Sequence, residues 1–265
     1  MRNKTIALVY NPVLLKLQEA VSDQTVDIGE IERLILSDQA IAADVLRAAN
    51  SPFFCGLSPV RTIRTAIVRL GTQQIRRLVI LAAECAKYRA LNPQLHRMLV
   101  DLWRHASTTA LAAQWLSKRL RLTGIEEICF LGGLLHDIGK LVIIKSVDSI
   151  IETDSKKSYP PPALLDEIIT TAHCQLGFKM LQDWNIPEIY CQIARDHHLE
   201  NIPLGDLPLT IVRLANQGSH KLVLGSNSNP PLDLVATPEA NLLKVGEDLL
   251  EELQGMLENH LTIAA

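Results

Sequence analysis

The chain has 265 residues with 48% apolar and 21% charged side chains, 13 Gly and 13 Pro, which excludes disorder as its main state and allows a core without disulfide or metal staples. Its 26 basic and 29 acidic residues give a net charge of −3, so there is no global pull towards nucleic acid. Five widely spaced cysteines without a CxxC pair, an N-terminal apolar run (Ile6 to Tyr10) too short for a signal peptide, and no membrane-length apolar stretch together suggest a protein of the reducing cytoplasm.

Leu, Ile and Ala dominate over 4 Phe, 4 Tyr and 3 Trp, and helical periodicity recurs from residue 12 onward, so an all-α fold is expected. Short helices are predicted at Val13 to Ala20 and Ile28 to Leu36. A third carries Ile41, Val45 and Leu46 and stops at Asn50. Ile63, Ile67 and Leu70 mark a fourth, ended by Gly71, and a fifth runs from about Gln74 to Arg89. Leu95 to Leu120 is the longest, without internal Gly or Pro. The capping-box pattern Thr123-Gly-Ile-Glu126 predicts a helix that runs through Leu134 and Leu135 until Gly139 breaks it. A loop at Thr153 to Pro162 follows, then helices at Ala163 to Asp183, with a break near His173 left open, at Pro187 to His198 and at Pro208 to Val223. After a second loop, Gly225 to Pro231, Thr237-Pro238 opens a last helix.

Residues 61 to 83 hold Arg61, Arg64, Arg69, Arg76 and Arg77 with no acidic residue. A solvated helical face is the plainer reading. A surface for nucleic acid or a phosphorylated ligand is the sharper one, and the lack of interleaved aromatics weighs against nucleic acid.

Five histidines, His105, His136, His173, His197 and His198, fall on predicted helices, and His136 is followed by Asp137. Imidazole with carboxylate suits borderline divalent metals. His105 shares a stripe with Met98, Leu102, Thr109, Ala112 and Leu116 and so faces inward. His136-Asp137 stands at a helix C-terminus behind Gly132-Gly133, whose missing side chains let another helix come close. Singly, each histidine reads as a satisfied core residue. Together, five imidazoles in one helical core carry a desolvation demand that a metal or phosphate would meet.

The string Ser37-Asp-Gln-Ala-Ile-Ala-Ala-Asp-Val-Leu-Arg-Ala-Ala-Asn-Ser-Pro-Phe-Phe54, followed by Thr62 to Gly71, closely resembles the N-terminal half of the HDOD family. Leu102-Trp-Arg-His-Ala-Ser107, Phe130-Leu-Gly-Gly-Leu-Leu-His-Asp-Ile-Gly-Lys140, Trp184 to Glu188 and His197-His198 resemble its later half. The resemblance spans roughly residues 10 to 220. It implies a branch of the HD superfamily of metal-dependent phosphohydrolases: an N-terminal helical bundle (1–92) packed against an HD-like bundle (93–222), with a C-terminal helical extension (223–265).

By the same resemblance, His105, His136 and Asp137 match a first metal site, with His136 and Asp137 central to any catalysis. His173, His197 and His198 match the further histidines, and Lys140 would steady a phosphate. The later Asp of the catalytic relatives is replaced by Asn216. An Asn offers one neutral oxygen where Asp offers a charge, so metal affinity and water orientation should suffer. The GYP signature is missing after His198, so hydrolysis of cyclic di-GMP is not expected. The expectation is a non-catalytic bacterial signal-transduction module, regulatory or protein-binding, with other signalling proteins or a phosphorylated small ligand as partners, whose retained His/Asp cluster could take a divalent ion (Fe, Mn, Zn or Ni). The alternative is a divalent-metal phosphohydrolase acting on a phosphoester or nucleotide.

Overall fold

A computed structural model of the chain describes residues 27–37, 39–50, 60–75, 77–78, 88–153, 159–201, 205–223 and 233–264. The predicted helix at Val13 to Ala20, most of that at Gln74 to Arg89, the Ser51 to Phe54 motif, Arg76 and the centres of both predicted loops lie outside these residues. Among the described residues all regular structure is helical, as the composition and periodicity predict. By internal contacts the chain divides into two compact units, residues 1–89 with 262–265 and residues 90–261.

In the first unit, α1 (Ile28–Leu36), α2 (Gln39–Ala49) and α3 (Ile63–Leu70) enclose Ile31, Ile35, Ile41, Val45, Ala49, Val60, Ile63, Ala66 and Ile67. Thr62 caps α3 by accepting from the Thr65 N–H. Asn50 closes the connection from α2: its Nδ2 donates to the carbonyls of Leu46 (3.0 Å) and Val60 (2.8 Å), and its Oδ1 accepts from the Val60 N–H (2.7 Å). The arginine run is no uniform surface stripe. Arg77 is buried and bonds Gln74, while Arg64 lies 3.7 Å from Glu32.

The second unit is organised by α4 (Pro93–Arg119), opened by Asn92, whose side chain accepts from the N–H groups of Gln94 and Leu95. Then come α5 (Glu126–Leu135), α6 (Ile138–Thr153), α7 (Pro162–Asp183), α8 (Glu188–Asp196), α9 (Leu207–Val223), α10 (Pro238–Leu243) and α11 (Glu247–Ala264). α4, α5, α8 and α9 share a core that includes Ala112, Ala113, Leu116, Cys129, Ile193, Leu209, Val212 and Ala215. Leu253 and Leu257 of α11 complete it.

Four sequence expectations are corrected. Gly139 does not end a helix: the break falls at His136-Asp137, and Gly139 lies in the first turn of α6. The Thr123 capping box does not form. Ile125 stands at the cap position without a side-chain bond, and Glu126 instead accepts from the Gly124 N–H at 2.9 Å. α8 stops at Asp196, so His197 and His198 lie in the turn beyond it. The last helix is two, interrupted where Lys244 takes a left-handed φ of 53°. α7, by contrast, runs unbroken through His173.

Two glycines set the helix spacing around the HD turn. A Cβ on Gly133 would lie 2.8 Å from the Ala110 Cα of α4, and one on Gly139 would collide with the His173 carbonyl of α7. Glycine at 139 is therefore required by close approach rather than by helix termination. We expect Gly139→Ala to destabilise the protein by on the order of 3 kcal/mol, as overpacking of a tight crossing does. Gly255→Ala in α11, where nothing lies within 4 Å of the new methyl, should be neutral or slightly stabilising. Thermal denaturation of the two variants checks the contrast.

Candidate metal centre

The break between α5 and α6 turns Asp137 into the core, where the residue is 2% exposed. α4 brings His105, the α5 end brings His136, α7 brings His173 and the turn after α8 brings His197 and His198. Two groups of potential ligand atoms, each within 4.8 Å of one another, share this carboxylate: His105, His136 and Asp137, and Asp137, His173, His197 and His198. Around Oδ2 stand His136 Nε2 at 3.3 Å, His105 Nε2 at 3.6 Å and Lys140 Nζ at 2.6 Å. Around Oδ1 stand His197 Nε2 at 3.4 Å and His173 Nε2 at 3.5 Å.

Each helix also fixes which ring nitrogen faces inward. Nδ1 of His136 lies 2.8 Å from the Gly133 carbonyl, that of His173 2.7 Å from Ile169, and that of His197 3.0 Å from Ala194. A carbonyl only accepts, so these Nδ1 atoms carry hydrogen and donate, which leaves Nε2 of a neutral His173 or His197 ring with a lone pair. Burial lowers the pKa of His173 and His105 and takes His197 down to about 4. At neutral pH the Nε2 lone pairs of His173 and His197 therefore face a carboxylate oxygen that can only accept. Burial pushes the Asp137 carboxyl up, but His136 and the Lys140 charge outweigh it and hold the group ionised, well below the usual carboxylate range.

Acceptor facing acceptor in a buried site calls for a cation between them. Asp137 Oδ1 and His197 Nε2 are both buried without a hydrogen-bond partner among the described residues. His173 Nε2 has only the Cys174 sulfur, 3.3 Å away. Burial pushes the Cys174 thiol up to about 11, so it stays protonated and is no thiolate ligand at neutral pH. Imidazoles and one carboxylate fit a borderline divalent ion.

Of the residues singled out in the sequence, His105, His136, Asp137, His173, His197 and His198 come together, and Lys140 joins them through Asp137. The Lys140 ammonium is thus engaged with the carboxylate, with its side chain 19% exposed. Asn216 is buried on α9, its Oδ1 without a partner among the described residues. Sequence reasoning missed His220, whose ring centroid lies 4.2 Å from that of His105 and whose pKa burial lowers to about 4. The one available signal was its spacing of four from Asn216, which puts the two on one helix face.

A family model for the HDOD domain matches residues 9–200. The chain belongs to the HDOD family. A Shewanella amazonensis protein provisionally described as a metal-dependent phosphohydrolase is similar in fold to this HDOD chain, with a TM-score of 0.69 at 19% identity over 96% of this chain and 93% of that one. A Marinobacter aquaeolei protein provisionally described as a signal transduction protein gives 0.58 at 18% identity, over 97% of this chain and 58% of that one. An uncharacterized Treponema pallidum protein is 25% identical over 194 residues, 72% of this chain, which spans only 37% of that relative's length. No helix among the described residues is long and apolar enough to cross a membrane.

The buried neutral histidines have a consequence for the metal-free HDOD chain. Their folded pKa lies below the unfolded value of about 6.5, so the unfolded state binds more protons as the pH falls from about 6.5 towards 4. Stability is then fully present above about 6.5 and lost through that window, by about 2 kcal/mol at pH 5 for a histidine lowered as far as His197. Chelated protein should show a Tm that falls steeply between pH 7 and pH 5, whereas His197→Gln, neutral throughout, should show a shallower fall.

Proposed function

We propose that this HDOD chain is a regulatory module that holds one or two divalent ions and signals by binding a protein or small ligand rather than by turnover. The observation that supports it is that His197 Nε2 and Asp137 Oδ1, 3.4 Å apart, are both buried without a hydrogen-bond partner among the described residues. His105, His136 and Asp137 would hold one ion, and Asp137 with His173, His197 and His198 the other. Such an ion supplies Lewis acidity and acidifies bound water. Lys140 keeps the shared carboxylate oriented through its 2.6 Å contact with Oδ2.

The regulatory reading, rather than the hydrolytic one, is supported by Asn216. A neutral amide stands where the catalytic relatives that the sequence resembles carry a carboxylate, and that lowers both the affinity for a cation and the order of its bound water. The likeness to a signal transduction protein is in keeping with it. The phosphohydrolase reading has in its favour the likeness to a protein provisionally described as a metal-dependent phosphohydrolase, and the position of His198, which is exposed while its ring packs against His197, with centroids 4.1 Å apart, so that the cluster is open to solvent on that side.

Elemental analysis of protein purified without chelator or histidine tag tests the first reading. Wild type should carry near-stoichiometric Fe, Mn, Zn or Ni, and His136→Ala and Asp137→Ala should lose it. A metal-free wild type would sink the reading. The same preparations should leave a simple phosphodiester such as bis(p-nitrophenyl) phosphate untouched; metal-dependent turnover that vanishes in Asp137→Ala would establish the enzyme instead. Asn216→Asp should tighten metal binding by at least about tenfold, the scale on which even outer partners of a ligand act.

A further inference from the structure

The ligand histidines His197 and His198 stand in a turn, not in a helix, and turns are held less firmly than helices. α8 ends at Asp196, so the carbonyls that follow have no N–H from a further turn of helix to receive. The His197 N–H donates to the Ile193 carbonyl at 3.1 Å and the Leu199 N–H to the Asp196 carbonyl at 3.0 Å, and α9 adds a further hold. Arg213 Nη1 donates to the Asp196 carbonyl at 3.2 Å and to the His197 carbonyl at 3.0 Å. Those two carbonyls belong to the peptide groups on either side of the His197 Cα. One guanidinium nitrogen thus fixes both backbone dihedrals of His197 and, through them, the direction in which its ring leaves the chain.

Arg213 is only 9% exposed, and a buried guanidinium needs a counter-charge. It finds one on the C-terminal extension: its Nε donates to Glu239 Oε1 at 2.8 Å, and Glu239 is 1% exposed. Glu239 lies in the first turn of α10, whose start is fixed by Thr237, the side chain of which accepts from the Ala240 N–H. Ala240, Val245, Leu250, Leu253 and Leu257 seat α10, α11 and the segment between them in the core, and Arg119 of α4 pairs with Glu252 of α11 at the surface. Arg213 and Glu239 both lie beyond the residues matched by the family model.

We infer that Arg213 and Glu239 are positioning residues for His197, through which the C-terminal helices set the metal affinity of the half-site formed by Asp137, His173, His197 and His198. The chain of contacts is continuous: α10 carries Glu239, Glu239 orients Arg213, Arg213 grips the two peptides that flank His197, and His197 Nδ1 is tied to Ala194 so that Nε2 faces Asp137. Anything that displaces α10 releases the guanidinium and lets the turn rotate. The inference rests on the metal reading of the cluster.

The test uses the full chain, stripped with chelator and titrated with Mn2+, with free ion read by electron paramagnetic resonance. His197→Ala identifies the binding that depends on this half-site. Glu239→Gln, which keeps the shape but removes the counter-charge, and Arg213→Met should each weaken that binding about tenfold, the scale of an outer partner of a ligand. Arg213→Lys should restore part of it. Helicity by circular dichroism accompanies each variant, and if Arg213→Met does not fold the comparison rests on Glu239→Gln and Arg213→Lys. Wild-type affinity in Glu239→Gln, at wild-type helicity, overturns the proposal. If the wild-type chain takes up no ion, the metal reading falls, and the positioning claim is decided by hydrogen exchange at the His197 and Leu199 amides. Faster exchange in Glu239→Gln upholds it; an unchanged rate overturns it.

Discussion

A single ionised carboxylate in the helical core is the constraint on which the second unit depends. An isolated buried carboxylate is so costly that it would take up a proton instead. Asp137 stays charged because His136 and the Lys140 ammonium offset its burial. His105, His173 and His197 reach it from α4, α7 and the turn after α8, so its surroundings are complete only when all these segments are in place. Local order at the site and global packing of this unit are therefore one problem. Breaking any one of the contacts leaves the carboxylate short of partners rather than merely removing a bond.

The way each imidazole is held follows from helix geometry. His136, His173 and His197 all use a carbonyl three or four residues back for Nδ1, a bond that needs no second element and leaves Nε2 projecting from the helix end or face. Rings fixed like this cannot swivel to share a proton with Asp137 without giving up the backbone bond. The arrangement leaves Nε2 available to a cation, and a backbone carbonyl on the other ring nitrogen is the outer partner that metal-bound histidines generally have. The glycines serve the same end. Gly133 lets α5 lie against the α4 backbone near His105, and Gly139 lets α6 approach the carbonyl of His173, which keeps the ligands from four segments within reach of one another.

Much of this was legible in the chain because helical periodicity and a local motif coincide. The stripe that includes Leu102, Thr109 and Ala112 placed His105 inward, and the Gly-Gly before His136-Asp137 announced a close crossing. Gly139 was misread because a glycine near a helix end has two physical causes, a left-handed cap or a close neighbour. Only the neighbour, contributed from His173 in another helix, decides between them. The same limit hid His220, since nothing local says that α9 presents it to His105. It also hid the Arg213–Glu239 pair, whose members are separated by a loop and meet only after α10 packs. Arg77 was misjudged for a related reason. Its charge suggested solvent, whereas Gln74 one turn away offers it a buried partner.

Holding an ion and activating water on it make different demands, and Asn216 separates them. Affinity comes from the sum of donors, and six His and Asp side chains converge here, so the loss of one charge still leaves a competent set. Reactivity would depend on what orients and deprotonates a bound water, and in the reading proposed above a neutral amide oxygen on α9 would do less there than a carboxylate that both attracts an ion and accepts a proton. α9 also carries Arg213, which pairs with Glu239 of α10, and His220, whose ring centroid lies 4.2 Å from that of His105. One helix thus bears both Asn216 and the residues that link the cluster to the rest of the unit. In a module that uses a metal to hold a conformation rather than to run a reaction, α9 is where such a change would be tolerated.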